Sequence, residues 1–457
     1  MAHHKTNPKD MVPLGQKMAF GAGHLVLNLL PGALGIFMFF LLTAFGMDPF
    51  LAGLLGGLPR IFDALTDPIM GFISDNTKSR WGRRRPYIFV GAILSGIFFI
   101  ILWQLDPEDS VNYNFWYFLI MSMVFLVGNT MFATPLIGLG YEMTSDYNER
   151  TRIMAFSQTI GQIAWMIVPW FWVLIANPDL FETQAIGVRR LSIIVGAVCL
   201  ILGLLPAIFC KGIDSAHMEN RKKITFKTMF SNLKDLLDGI VQVSKNKPFM
   251  KLCGATFLVF NGFQLVASFS YFIIVYYMFQ GDFGAAGNWP AWFSTITAVI
   301  TAFGVIPIVT WMANNWGKRN AFVISTAISI VGYILKWWGF NPDYHWLIFL
   351  PVPFMAFGLG GLFTLMMSMT ADVCDLDELR NGMPRKEGTF GAIYWWMVKL
   401  GQALALVLGG LVLKVVGFDG NAAVQTAETI RDLRIADIVI PAVTAGLAIF
   451  VMWKYSL

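Results

Sequence analysis

Apolar residues fall into twelve blocks, each at least 20 residues long, at about 17–46, 49–74, 86–105, 114–141, 153–176 and 191–212. After a polar stretch they resume at 248–279, 290–312, 320–340, 345–371, 387–417 and 433–453. Roughly 20 apolar residues cross about 30 Å of hydrocarbon as a helix. Backbone inside lipid must satisfy its own hydrogen bonds, so each block is predicted to be a transmembrane helix. The short alternating segments of a β-barrel are missing. Of 457 residues, 56% are apolar and 13% charged, about half the charged share of a soluble domain. A large soluble enzyme or a nucleic-acid-binding protein is excluded. The first 16 residues are polar and lack the apolar core and cleavage site of a secretory signal, so the first block is expected to remain in the protein. Cys199, Cys210, Cys253 and Cys374 have no metal-ligand spacing and read as packing residues.

Lys and Arg placement orients the chain. With the N-terminus inside, inner loops carry Lys78, Arg80, Arg83, Arg84, Arg85, Arg150, Arg152, Lys318, Arg319, Arg380, Arg385 and Lys386, and Lys211 to Lys251 adds nine more. Outer loops hold only Arg189, Arg190, Arg431 and Arg434, beside acids such as Asp106, Glu108, Asp109, Asp282 and Asp343. That asymmetry predicts cytoplasmic termini. The net charge of +5 needs no acidic partner.

Residues 1–212 and 248–457 are expected to be two six-helix bundles joined by a cytoplasmic linker, 213–247. In the linker, Lys222, Lys223, Lys227 and Lys234 alternate with Phe226, Met229, Phe230 and Leu233, as in an amphipathic helix on the inner leaflet. The halves repeat each other. Trp81-Gly82-Arg83-Arg84-Arg85 after the second block matches Trp316-Gly317-Lys318-Arg319 after the eighth. Glu142 and Arg152 after the fourth likewise match Asp377 and Lys386 after the tenth. Two similar six-helix bundles describe one large class of secondary transporter.

Ionisable groups inside these blocks are the functional candidates, since each costs about 3 kcal/mol near the bilayer centre. Arg60, Asp63 and Asp67 share one face of the second helix at i−3, i and i+4. Two adjacent carboxylates repel unless a proton or cation joins them. Na⁺ binding and proton carriage both fit, and Arg60 can neutralise only one acid. Lys399 lies about twelve residues into the eleventh block, too deep to reach either interface, and is expected to point toward the second-helix acids. One of Trp395 and Trp396 is expected beside it. His24, Asn28, Thr130, Gln158 and Gln264 are weaker polar candidates for substrate contact. Lys336 and Lys414 sit near block ends and are expected to snorkel. No nucleotide-binding loop, metal motif or nucleophile–base set is present, so an enzyme is not expected.

The run from Arg60-Ile61-Phe62-Asp63 through Thr66-Asp67-Pro68 to Gly71, then Asp75 and Ser79-Arg80-Trp81-Gly82-Arg83-Arg84-Arg85-Pro86, closely resembles the signature of the glycoside–pentoside–hexuronide:cation symporters. These are the melibiose-permease family of the major facilitator superfamily. Pro135 followed by Glu142, Asp146, Glu149 and Arg150, the stretch Asp372 through Lys386, and Lys399-Leu400-Gly401 agree in order. The resemblance implies a major facilitator fold. It implies a coupling-cation site at Asp63, Asp67 and Thr130 with Thr66 nearby, and a cavity lysine at Lys399. It implies a cytoplasmic gate of Asp75, Arg83, Arg84, Glu142, Asp146, Arg150, Asp372 and Asp377. Ala133, Leu25 and Ile137 stand where the family's sugar-binding members carry two aspartates and a tryptophan. The remaining His24, Arg60 and Lys399 favour a carboxylate or sulfonate on the substrate.

The resulting expectation is a cation-coupled (Na⁺ or H⁺) symporter for a glycoside or acidic, hexuronide-like sugar, with no cofactor, in a bacterial inner membrane. Its partners would be a small-molecule substrate and membrane lipid, with no nucleic acid, and it would act as a monomer. The alternatives are a lysolipid or other amphiphile carrier on the same fold, and a non-transporting receptor.

Overall fold

The computed structural model describes residues 11–457 apart from 145–146, most of 213–244, 268, 382–386, 421, 454 and 456–457. The first six helices are α1 (Leu14–Thr43), α2 (Pro49–Asn76), α3 (Arg85–Leu102), α4 (Val111–Glu142), α5 (Tyr147–Ala176) and α6 (Gln184–Phe209). Then come α7 (Lys247–Met278), α8 (Phe283–Trp316) and α9 (Lys318–Gly339). The last three are α10 (Val352–Asn381), α11 (Glu387–Val415) and α12 (Ala427–Trp453). Among the described residues there is no strand, and eleven helical segments are long and apolar enough to cross a membrane. α2 is not one of the eleven: Arg60, Asp63, Asp67 and Asp75 dilute its apolar character. The amphipathic helix expected over 213–247 falls largely outside the described residues, as does Lys386.

Local chemistry sets several helix boundaries. Ser110, Thr183 and Asn246 cap α4, α6 and α7, each accepting a hydrogen bond from a backbone N–H three residues on. Wider π-helical turns end α7 at Ile273–Met278 and interrupt α8 at Ile300–Val305.

The chain forms two compact units. One comprises Met1–Phe40, Phe62–Ile175 and Asp179–Asp235; the other comprises Leu41–Ile61, Ala176–Pro178 and Leu236–Leu457. In the first, Phe37 of α1 packs on Phe99 and Trp103 at 5.9 and 5.3 Å between ring centres, and on Phe171 of α5 at 6.1 Å. Gly91 of α3 lies against the Phe132 backbone of α4, where a side chain would clash. In the second, Phe249, Phe322, Leu362, Met366 and Val398 join α7, α9, α10 and α11 in one apolar core. Gly332 of α9 lies against the Met355 backbone of α10, as Gly91 does in the first unit. The sequence repeat also has a backbone counterpart: Gly82 and Gly317 both take positive φ, +97° and +82°, which side chains rarely tolerate. Cys199, Cys210 and Cys253 are buried and unbridged.

Candidate functional site: carboxylates and hydroxyls between α2 and α4

Asp63 and Asp67 stand one turn apart on α2, and Thr130 and Thr134 one turn apart on α4. The Thr130 hydroxyl lies 2.8 Å from Asp63 Oδ1 and 3.1 Å from Asp67 Oδ1, and Thr134 Oγ1 is 3.5 Å from the same Asp67 oxygen. Thr66 donates to the Asp63 carbonyl at 3.1 Å and approaches Thr130 Oγ1 at 3.4 Å. Asp63 and Thr130 are buried. One hydroxyl carries one proton, so Thr130 donates to only one carboxylate at a time. A proton on one acid, or a cation among the oxygens, relieves the repulsion that remains. An all-oxygen set is the chemistry of a hard cation. Among the described residues no group of three or more His, Cys, Asp or Glu could hold a metal ion. Thr134 is absent from the sequence candidates. Its signal was the i,i+4 step from Thr130 that mirrors Asp63 and Asp67.

A second cluster sits where α2 turns into α3. Arg83 and Arg84 both donate through Nε to Glu142 Oε1 at the end of α4, at 2.6 and 2.7 Å. Arg84 also pairs with Asp75 at 2.7 Å, and its guanidinium occupies the space above Gly138 that a side chain would fill. In the other unit the matching turn carries Lys318, whose Nζ contacts both Asp372 oxygens at 2.7 and 2.6 Å. Arg85 is not part of the cluster. It donates to the carbonyls of Ala207 and Ile208 at 2.6 and 2.8 Å, closing the end of α6. Asp146 lies outside the described residues, as do the side chains of Arg150, Gln158 and Asp377. Glu149, quoted above only for its place in a motif, is buried. It accepts from Lys17 Nζ at 2.6 Å and the Val12 N–H at 3.0 Å.

The substrate candidates divide between the units. His24 and Asn28 lie on α1, where Asn28 donates to the His24 carbonyl at 2.9 Å. Arg60 is partly buried on the stretch of α2 that belongs to the second unit. In the second unit Gln264 and Lys399 are partly buried and Trp395 is exposed. Lys414 is exposed, 3.4 Å from Asp48. Lys336 does not snorkel. It is 2% exposed and ion-paired with Asp437 of α12, itself 1% exposed, with Ser270 Oγ 3.3 Å from Nζ. Nearness to a helix end was outweighed by the packing of α12, which brings a carboxylate to the ammonium.

The chain belongs to the MFS/sugar transport protein family, which it matches over residues 19–457. It is similar to the isoprimeverose transporter of Lactiplantibacillus pentosus, 23% identical with 98% of this chain and 90% of the relative covered. It is similar to the glucuronide carrier protein homolog of Escherichia coli K12, at 26% with 90% and 85% covered. It is also similar to the sodium-dependent lysophosphatidylcholine symporter 1-B of Danio rerio, at 23% with 100% and 89% covered. The fold resembles the crystal structure of a bacterial homologue of the human lysosomal transporter Spinster, with a TM-score of 0.68 at 15% identity and 99% of each chain covered. The chain is therefore a multi-pass membrane transporter of the major facilitator type, in the glycoside/hexuronide symporter family, and not an enzyme.

Proposed function

We propose that this protein is a twelve-helix, alternating-access symporter that couples entry of a glycoside or hexuronide-like acidic sugar to Na⁺ or H⁺ in a bacterial inner membrane. Both termini would be cytoplasmic, with α2 as the twelfth span. Residues 1–212 and 248–457 would be the functional halves and 213–247 their linker, and the protein would act as a monomer. The observation that carries this reading is the single Thr130 hydroxyl within hydrogen-bonding distance of both Asp63 and Asp67. Two carboxylates one turn apart that share one hydroxyl are suited to gaining and losing a cation.

In this reading Asp63, Asp67, Thr66 and Thr130 take the cation. His24, Asn28, Arg60, Gln158, Gln264, Trp395 and Lys399 contact the substrate. Asp75, Arg83, Arg84, Glu142, Asp146, Arg150, Asp372 and Asp377 gate the cytoplasmic side, supported by the Arg84–Asp75 and Lys318–Asp372 pairs at matching turns. An anionic substrate is favoured by Leu25 and Ala133 and by the cations Arg60 and Lys399. The glucuronide relative supports the same class. The lysophosphatidylcholine relative supports an amphiphile instead.

Thermal-shift screening of purified protein against neutral sugars, uronates, sulfosugars and lysophosphatidylcholine, with and without Na⁺, separates these. Stabilisation by a uronate or glycoside supports the proposal, whereas stabilisation by the lysolipid alone overturns it. A charge-assisted bond is worth roughly 1.5–3 kcal/mol. Lys399→Gln should therefore weaken uronate binding about ten- to a hundredfold by calorimetry and leave a neutral sugar nearly unchanged. Equal losses for both ligands would make Lys399 a structural partner only.

A further inference from the structure

The outer surface of α5 is divided between two opposite faces. Ile163, Ile167 and Leu174 are exposed and fall within about 40° of one another around the helix, forming an apolar stripe that suits lipid. Trp165 is 42% exposed, yet at about 100° per residue it lies roughly 180° from that stripe. Its exposure is therefore not lipid contact along the stripe.

The indole is also tethered. Its N–H donates to Asn28 Oδ1 at 3.2 Å, and Asn28 Nδ2 donates to the His24 carbonyl at 2.9 Å. An indole N–H only donates, so this chain fixes which end of the amide faces Trp165 and leaves one Asn28 N–H for another acceptor. Gly161, one turn before Trp165, makes the room: a methyl group there would lie 2.8 Å from Asn28 Nδ2 and 3.3 Å from the His24 carbonyl.

His24 supplies an independent sign of a missing ligand. It is 4% exposed and packs edge-on against Phe20, with ring centres 4.7 Å apart. Neither ring nitrogen has a hydrogen-bond partner among the described residues. A buried polar group without a partner is unfavourable. It lies one turn from Asn28 on the same helix, and no described residue supplies its donor or acceptor.

We propose that Trp165, Asn28 and His24 form a sugar-ring subsite in the first unit. The indole face stacks on the apolar C–H face of a pyranose, while the spare Asn28 N–H and the His24 ring nitrogens bond its hydroxyls. An indole held by its own N–H presents its ring face without rotational freedom. The subsite reads the uncharged part of the substrate, so it contributes equally to neutral and acidic sugars, unlike Lys399. This inference rests on the sugar-transport reading above.

The test is calorimetric binding of isoprimeverose and phenyl β-D-glucuronide to the purified full-length protein. Trp165→Leu should weaken both sugars by about tenfold and Trp165→Phe by about threefold, with unchanged thermal midpoints in the absence of ligand. A folded Trp165→Leu that binds both sugars as wild type does would overturn the subsite and leave the sugar reading standing. Wild-type protein that binds neither sugar would overturn both. If Trp165→Leu does not fold, ¹⁹F spectra of 5-fluorotryptophan-labelled protein decide. The resonance missing from Trp165→Phe should shift on saturation with either sugar; no shift overturns the subsite.

Discussion

Lys336 and Asp437 bury a full ion pair between α9 and α12. Removing one partner from such a pair strands a charge, which typically costs about 3–5 kcal/mol, whereas replacing both with apolar residues is often close to neutral. Lys336→Met is expected to lower the thermal midpoint sharply, and Lys336→Met with Asp437→Leu to restore most of it. Melting curves of the single and double variants check this. The pair was illegible in the sequence because its members are a hundred residues apart, and only the packing of α9 on α12 joins them. Asp63 and Asp67 were legible for the opposite reason. They are neighbours on one helix face, so their mutual repulsion can be read without knowing any tertiary contact. Where Thr130 sits relative to them came from the family resemblance. Its position between both carboxylates, and the approach of Thr134, needed the structure.

Elements were legible wherever hydrophobic length alone decides. The blocks at 49–74 and 387–417 became Pro49–Asn76 and Glu387–Val415, and other boundaries moved by as many as ten residues, as where 345–371 became Val352–Asn381. The π-helical turns in α7 and α8 left no trace, since one extra residue per turn does not alter an apolar run. Nor could spacing separate Arg85, which closes α6, from Arg83 and Arg84, which hold Glu142. The α3–α4 connection carries its own prediction. The Glu108 backbone N–H and the Arg189 side chain, 3.0 and 2.9 Å away, hold the Asp106 carboxyl below the usual carboxylate range. A carboxyl with a lowered folded-state pKa stabilises above its unfolded value, about 4, and loses that contribution as pH falls through the lowered value. Hydrogen exchange in the loop at 103–110 should be constant from pH 7 to 5 after correction for intrinsic rates, and protection should fall below about pH 4. Asp106→Asn should remove that step. A step that survives the substitution would assign it to another group.

At the scale of the whole molecule, a charged share of 13% and apolar blocks long enough to span a bilayer were enough to specify a polytopic membrane protein. The repeat of Trp-Gly-basic turns at Trp81 and Trp316 was enough to suggest two related halves. Substrate identity was not legible, because it depends on a few polar groups whose meaning changes with their neighbours. His24 reads as a lone polar residue until its ring nitrogens are found buried without partners among the described residues. Coupling is the property on which the functional proposal depends, and it belongs to the whole transport cycle. Wild type and Asp63→Asn should be reconstituted in liposomes and supplied with labelled phenyl β-D-glucuronide, first under an imposed Na⁺ or proton gradient and then in gradient-free exchange. Wild type is predicted to accumulate the sugar uphill under at least one gradient. Asp63→Asn is predicted to lose all uphill accumulation and retain exchange. Undiminished uphill accumulation by Asp63→Asn would contradict the assignment of the α2–α4 cluster as the coupling site.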